Sequence, residues 1–264
     1  MTAEPLLKVR GVTKRFDGIL ALHDVSLDVP AGLVSGLIGP NGSGKTTLFN
    51  VVSGFLRADA GEVTFDGVAV LGKKAHQVAR LGMCRTFQAT ACPQRMTVLE
   101  NMLLAPQDQE GESIARLILR GGAVRAQERA YLERAKALLA IVNLREKADE
   151  YAGSLSGGQR KLLALAQILM ADPKLILLDE PVAGVNPILA EEIAAVIRRL
   201  RDEGRDFLIV EHNMRFIRST CDRVAVLDAG HIIAEGTPAD VLSQEEVLRA
   251  YLGRHVETAE GARA

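Results

Sequence analysis

At 264 residues the chain is long enough to bury a sizeable core, and it fits one large α/β domain or a domain carrying an inserted subdomain. Its 48% hydrophobic and 25% charged residues, with only 9 prolines, exclude collagen-like, coiled-coil and wholly disordered classes. A net charge of −1 offers no electrostatic footprint for nucleic acid or an acidic membrane surface, so any membrane it meets must be reached through protein contacts.

The chain opens on MTAEPLLKVRGVTKRF, which is interrupted by Pro5 and by charges and has no signal-peptide core. Short strands separated by turns follow at Leu6–Val9, Val25–Val29 and Leu33–Ile38. The last is apolar almost throughout, as in a strand covered on both faces. A glycine-rich loop then enters a helix from Lys45 to about Ser53, with Gly54 at its C-cap, which begins a βα unit. Glu62–Phe65 running into Asp66-Gly67 predicts another strand and a turn.

From about Gln88 to Ser156 the strand signals fade, and Tyr131, Ala135, Leu138 and Val142 recur at helical spacing within Arg125–Asn143. This predicts a helical subdomain inserted at about 89–157. Inside it, Pro106–Ala123 is polar, with a short helix at Ile114–Leu119. Strand-like runs return at Leu175–Leu178, Phe207–Val210 and Val224–Leu227 in alternation with helices, the pattern of a parallel sheet with crossover connections. One such helix, Leu189–Glu203, carries Leu189, Ile193, Val196, Ile197 and Leu200 on one face; Asn186-Pro187 begins it and Gly204 stops it. The expected domain spans 1–253, and residues 254–264 form a fraying tail. The cysteines Cys84, Cys92 and Cys221 are widely spaced, as expected of isolated thiols in a reducing cytosol. With no run of roughly 18 apolar residues for a membrane helix, a cytoplasmic protein is expected.

Three motifs carry chemistry. Gly39-Pro40-Asn41-Gly42-Ser43-Gly44-Lys45-Thr46 fits GxxxxGK[ST] between a buried strand and a helix, and such a match arises by chance roughly 0.005 times per chain. Its glycines let successive N–H groups face phosphate oxygens at the positive end of a helix; Lys45 reaches the β and γ phosphates and the Thr46 hydroxyl ligates magnesium, with Thr47 beside it in the nucleotide-binding set. Leu175-Ile176-Leu177-Leu178-Asp179-Glu180 is a buried strand ending in two acids at a ligand-facing sheet edge. Asp179 is placed to hold magnesium and Glu180 to orient and deprotonate a water. Leu155-Ser156-Gly157-Gly158-Gln159 is locally a capping box, Ser156 to Gln159, and its two glycines leave backbone N–H groups for a second anion.

LSGGQ about twenty residues before LILLDE, with GPNGSGKT upstream, resembles the pattern of ATP-binding-cassette (ABC) ATPases over about Leu6 to Gly253. The resemblance implies a P-loop NTPase fold of the α/β class, with a mostly parallel core sheet, an N-terminal antiparallel β subdomain and the helical insert. It implies hydrolysis of ATP with Mg2+ in a two-fold dimer of identical or paralogous cassettes, where Ser156, Gly158 and Gln159 of one copy meet the nucleotide of the other. Phe16 resembles the ring that stacks on adenine. Gln88, in RTFQ, resembles the glutamine that touches magnesium and the attacking water, and His212 resembles the switch histidine at the γ-phosphate. Where the family carries an Asp after the two acids, this chain has Asn186, which leaves a hydrogen bond without a charge.

Coiled-coil, zinc and tandem-cassette insertions are not visible, which favours a transporter subunit over the family's soluble machines. RTFQ…MTVLENMLLA, EPVAGVNP and VLRAYLG resemble the ATP-binding subunits of branched-chain amino acid importers, with urea or another amide as the competing solute. The implied partners are a second cassette, integral membrane permease subunits and, indirectly, a solute-binding protein, with no nucleic acid. The implied place is the inner face of the membrane, held there by the permease.

Overall fold

The computed structural model describes residues 4–86, 92–106 and 121–251. Two compact units emerge, one made of Met1–Arg85, Lys174–Val182 and Ile197–Ala264, the other of Thr86–Pro173 and Ala183–Val196.

The first unit holds two sheets. The larger is built on β3 (Val34–Ile38), β7 (Leu175–Asp179) and β8 (Asp206–Val210), each buried along its whole length, as parallel strands sandwiched between layers must be. With β6 (Met83–Arg85), β9 (Arg223–Asp228) and β10 (His231–Gly236) the order is β10-β9-β3-β8-β7-β6. All neighbours are parallel except β9 and β10. The parallel core strands lie where their apolar runs put them. The antiparallel β10 and the three-residue β6 were not expected. β10 follows β9 through Ala229-Gly230, both at positive φ, a two-residue hairpin geometry concealed by an alanine in the left-handed region.

The smaller sheet is antiparallel, order β2-β1-β4-β5, formed by β1 (Leu7–Phe16), β2 (Ile19–Val29), β4 (Ala60–Phe65) and β5 (Val68–Ala69). Here β1 and β2 are longer than the expected Leu6–Val9 and Val25–Val29, because Asp17-Gly18, also both at positive φ, closes them into a hairpin. One apolar core joins the sheets, with Leu7, Leu22 and Phe65 in the same cluster as Leu37, Phe49, Leu177 and Leu227. Helix α1 (Lys45–Val52) follows β3, with Gly54 just past its end at φ 76; α2 (Ala75–Arg80) leads into β6.

The second unit is helical. Helices α3 (Val98–Leu103), α4 (Gly121–Ile141) and α5 (Gly157–Met170) pack on one another and bury Met102, Leu139 and Leu163. Helix α4 begins before the expected Arg125, and the helix expected at Ile114–Leu119 lies outside the described residues. Helix α6 (Pro187–Asp202) begins at the proline after Asn186 in the second unit and ends in the first, to which α7 (Met214–Thr220) and α8 (Pro238–Val241) also belong.

Candidate active site

The loop between β3 and α1 is shaped by glycines that no other residue could replace at two positions. A Cβ on Gly39, at φ 151, would lie 2.0 Å from the Leu227 carbonyl oxygen and 2.9 Å from Ser43 Oγ; on Gly44, at φ 108, it would lie 2.5 Å from the Ala21 carbonyl oxygen. The loop is braced from outside by the Gly230 N–H, which donates to the Ser43 carbonyl at 3.0 Å. Gly44 is the N-cap of α1 and has no side chain to cover the first amides, so the helix start is open to an anion. Lys45 is buried, and its Nζ donates to the carbonyls of Gly39 at 2.9 Å and Pro40 at 2.8 Å. The cradle thus surrounds a cation. Asn41, Gly42 and Thr46 are exposed on it and Thr47 is half-buried.

At the end of β7 two consecutive acids occupy different surroundings. Asp179 is 6% exposed. Arg85, on the neighbouring strand β6, donates from Nη2 to its Oδ2 at 2.8 Å, and from Nη1 to Asn50 Oδ1 at 2.6 Å and Ser53 Oγ at 3.2 Å. The guanidinium carbon lies 5.3 Å from the Phe49 ring centroid and 5.8 Å from that of Phe55. Glu180, the next residue, has φ 48, a left-handed conformation that costs a non-glycine residue roughly 1–2 kcal/mol. Its N–H donates to the Val210 carbonyl at 2.9 Å, and its Oε1 lies 3.6 Å from His212 Nδ1.

His212 follows β8, with its side chain 57% exposed. Between strand and histidine stands Glu211, 1% exposed, whose Oε2 accepts from the N–H groups of His212 at 2.8 Å and Asn213 at 3.0 Å and whose Oε1 accepts from that of Val182 at 3.0 Å. Phe16 is 44% exposed at the end of β1, with Lys14 Nζ 5.4 Å from its ring centroid, which leaves an aromatic surface open for stacking. Gln88 lies outside the described residues.

In the second unit Ser156 is the exposed N-cap of α5: its Oγ accepts from the Gln159 N–H at 3.2 Å and its own N–H donates to Gln159 Oε1 at 3.0 Å. The half-buried Gln159 side chain is therefore engaged by its own helix start. Gly157 is exposed, but Gly158 is buried, and a Cβ there would lie 2.0 Å from Leu189 Cδ2. A side chain at 158 would oblige Leu189 to move. Asn186 Oδ1 accepts from the Leu189 N–H at 2.9 Å, capping α6.

Arg85, Glu211 and Tyr251 are not among the site residues that the sequence motifs assign. The Tyr251 hydroxyl is buried without a hydrogen bond among the described residues; burial pushes its pKa up to about 12, opposed by the nearby Gly39 backbone. Of the three, only Glu211 left a local signal, an acid closing an apolar strand beside a histidine.

The family model described as ABC transporter matches residues 22–183, and that described as branched-chain amino acid ATP-binding cassette transporter matches 231–257. The chain is 42% identical over 248 residues to a probable branched-chain amino acid transport ATP-binding protein of Archaeoglobus fulgidus, covering 94% of this chain and 95% of that one. It is 38% identical over 252 residues to a high-affinity branched-chain amino acid transport ATP-binding protein of Pseudomonas aeruginosa, covering 95% and 99%. A crystal structure of a nucleotide-free ATP-binding cassette from an ABC transporter superposes with a TM-score of 0.81 at 38% identity, over 94% of this chain and 98% of that one. A dimeric bacterial ABC transporter cassette superposes at 0.70 with 25% identity, over 88% and 98%.

Proposed function

The chain belongs to the ABC transporter family, and from that premise we propose that it is the ATP-hydrolysing subunit of a branched-chain amino acid importer, driving a separate membrane permease. The reading is carried by one juxtaposition inside one unit: a glycine cradle around Lys45, and a sheet edge bearing Asp179, Glu180 and His212. Its narrower part, the solute, is supported by the C-terminal match over residues 231–257 and by the names of the relatives. No helix among the described residues is long and apolar enough to cross a membrane; the proposed location is peripheral, on the inner face, through the permease.

In this mechanism the loop amides, the start of α1 and Lys45 hold the triphosphate, and Phe16 stacks on the adenine. Negative charge gathers on the transferred phosphoryl in the transition state, and these fixed dipoles and the ammonium are already oriented to meet it. The cradle fits a phosphate because its glycine N-cap leaves the first amides of α1 uncovered beside Lys45, and the loop keeps that course because a Cβ at 39 or 44 would strike the Leu227 or Ala21 carbonyl. Thr46 and Asp179, with Gln88, are the residues that would hold Mg2+, which supplies further neutralisation of phosphate charge. Glu180 orients the attacking water and takes its proton, a contribution of about 10²–10⁴-fold, and His212 contacts the γ-phosphate. Ser156 and Gly158 of a second cassette close over the nucleotide.

Glu180→Gln tests the assignment. It is expected to bind Mg·ATP, to lose turnover and to accumulate as a nucleotide-bound dimer; wild-type phosphate release would remove Glu180 from the mechanism. Reconstitution with a membrane permease that co-purifies with the chain, followed by uptake of labelled leucine, tests the solute, and uptake of an amide in its place would reassign it.

A further inference from the structure

The buried carboxylate of Glu211 reaches two stretches of chain far apart in sequence. Its Oε2 takes the N–H groups of His212 and Asn213, its own neighbours, while its Oε1 takes that of Val182, 29 residues earlier. At 1% exposure a carboxylate is retained only where donors surround it, and three backbone amides do so here. Those amides flank both residues proposed to act on the water and the γ-phosphate.

The segment between Glu180 and Val182 explains why a side chain is needed for this work. Glu180 N–H is bonded to the Val210 carbonyl. The next residue, Pro181, has no N–H to offer. A residue preceding proline is also drawn toward extended backbone, yet Glu180 sits at φ 48. The next backbone donor along the segment, at Val182, is the one Glu211 takes.

We propose that Glu211 is a positioning residue for hydrolysis: its carboxylate clamps the segment following Glu180 to the turn bearing His212, and so holds Glu180 in the left-handed conformation that directs its carboxylate toward the histidine. The proposal rests on the ATPase reading above. Without the clamp, Glu180 relaxes toward the extended backbone its proline favours, and the 3.6 Å relation to His212 is lost. The three hydrogen bonds of the Glu211 carboxylate go to Val182, His212 and Asn213, none of them a residue of the nucleotide cradle, so ATP binding is expected to be spared.

The test is steady-state ATPase kinetics and nucleotide affinity of the full chain carrying Glu211→Gln. A glutamine keeps one acceptor oxygen, so it can serve one of the two segments only. The expected result is a fall in kcat of about ten- to a hundredfold, the scale of a misplaced catalytic group, with KM and the dissociation constant for ATP unchanged. In a Glu180→Gln background the same substitution should lower the residual rate no further. Wild-type kcat in Glu211→Gln, a parallel loss of ATP binding, or a multiplicative fall in the Glu180→Gln background would each overturn the clamp. If Glu211→Gln does not fold, Glu211→Asp, with both oxygens but a shorter reach, is judged by the same split between kcat and KM. The ATPase reading fails separately, if the wild-type chain releases no phosphate or Glu180→Gln releases it at the wild-type rate.

Discussion

Replacing Arg85 with methionine removes the cation from a carboxylate that has almost no access to water. The side chains of Arg85 and Asp179 are 12% and 2% exposed and meet at 2.8 Å, so solvent screening that weakens surface pairs is largely absent here. Removing one partner of a buried pair costs about 3–5 kcal/mol, most of it the penalty of stranding the other charge. The hydrogen bonds to Asn50 and Ser53 and the contacts with the Phe49 and Phe55 rings go as well, although methionine refills part of that space. For a chain of this size each kcal/mol moves the melting temperature by roughly 2–4 °C, so a drop of about 10 °C is expected.

Far-UV circular dichroism through thermal and urea transitions measures the loss, and a double-mutant cycle identifies its source. Asp179→Asn in the Arg85→Met background removes the stranded charge and should recover at least about 1 kcal/mol. Arg85→Lys keeps the charge but not the planar fork that serves Asp179 and Asn50 together, so it should fall between wild type and methionine. Arg85→Met within about 0.5 kcal/mol of wild type, or a double variant whose loss equals the sum of the singles, would refute the argument.

Gly158→Ala places a Cβ 2.0 Å from Leu189 Cδ2 and should cost about 1–3 kcal/mol by overpacking. Adding Leu189→Ala makes room, and failure to recover any stability would show that the clash is not the cause. Cys221 is buried, and its thiol is pushed up to about 12 mainly by burial, so iodoacetamide at pH 8 should label it only in denaturant; rapid labelling of the native chain would contradict this. Phe16→Ala should weaken ATP binding by about 1–3 kcal/mol if the exposed ring stacks on the base, as read by titration calorimetry, and unchanged affinity would free Phe16 from that role.

Legibility from sequence followed the range of the interaction. β3, β7 and β8 announce themselves because a strand covered on both faces has to be apolar throughout. The glycine cradle is equally visible, since its strand, loop and helix start are contiguous. β10 was hidden because Ala229, not asparagine or aspartate, takes the first left-handed turn position. The Arg85–Asp179 pair joins residues 94 apart, and no local pattern encodes such a distance. Gly158 read as an open helix start; its burial depends on Leu189, a residue of the following helix.

The two acids at positions 179 and 180 illustrate how one backbone angle separates two chemical environments. Asp179 is the last residue of an extended strand, so its carboxylate remains in the sheet-edge interior and pairs with the guanidinium on the next strand. Had the strand continued, alternation would have turned residue 180 to the opposite face. Instead φ swings to 48, and the Glu180 side chain emerges 36% exposed beside His212. A carboxylate that orients and deprotonates water needs that access; one that holds a cation benefits from a fixed, dry setting. On the proposed roles, the division of labour between these adjacent carboxylates would originate in the left-handed main chain at Glu180, and the residues that hold that angle would belong to the mechanism as much as those that meet the substrate.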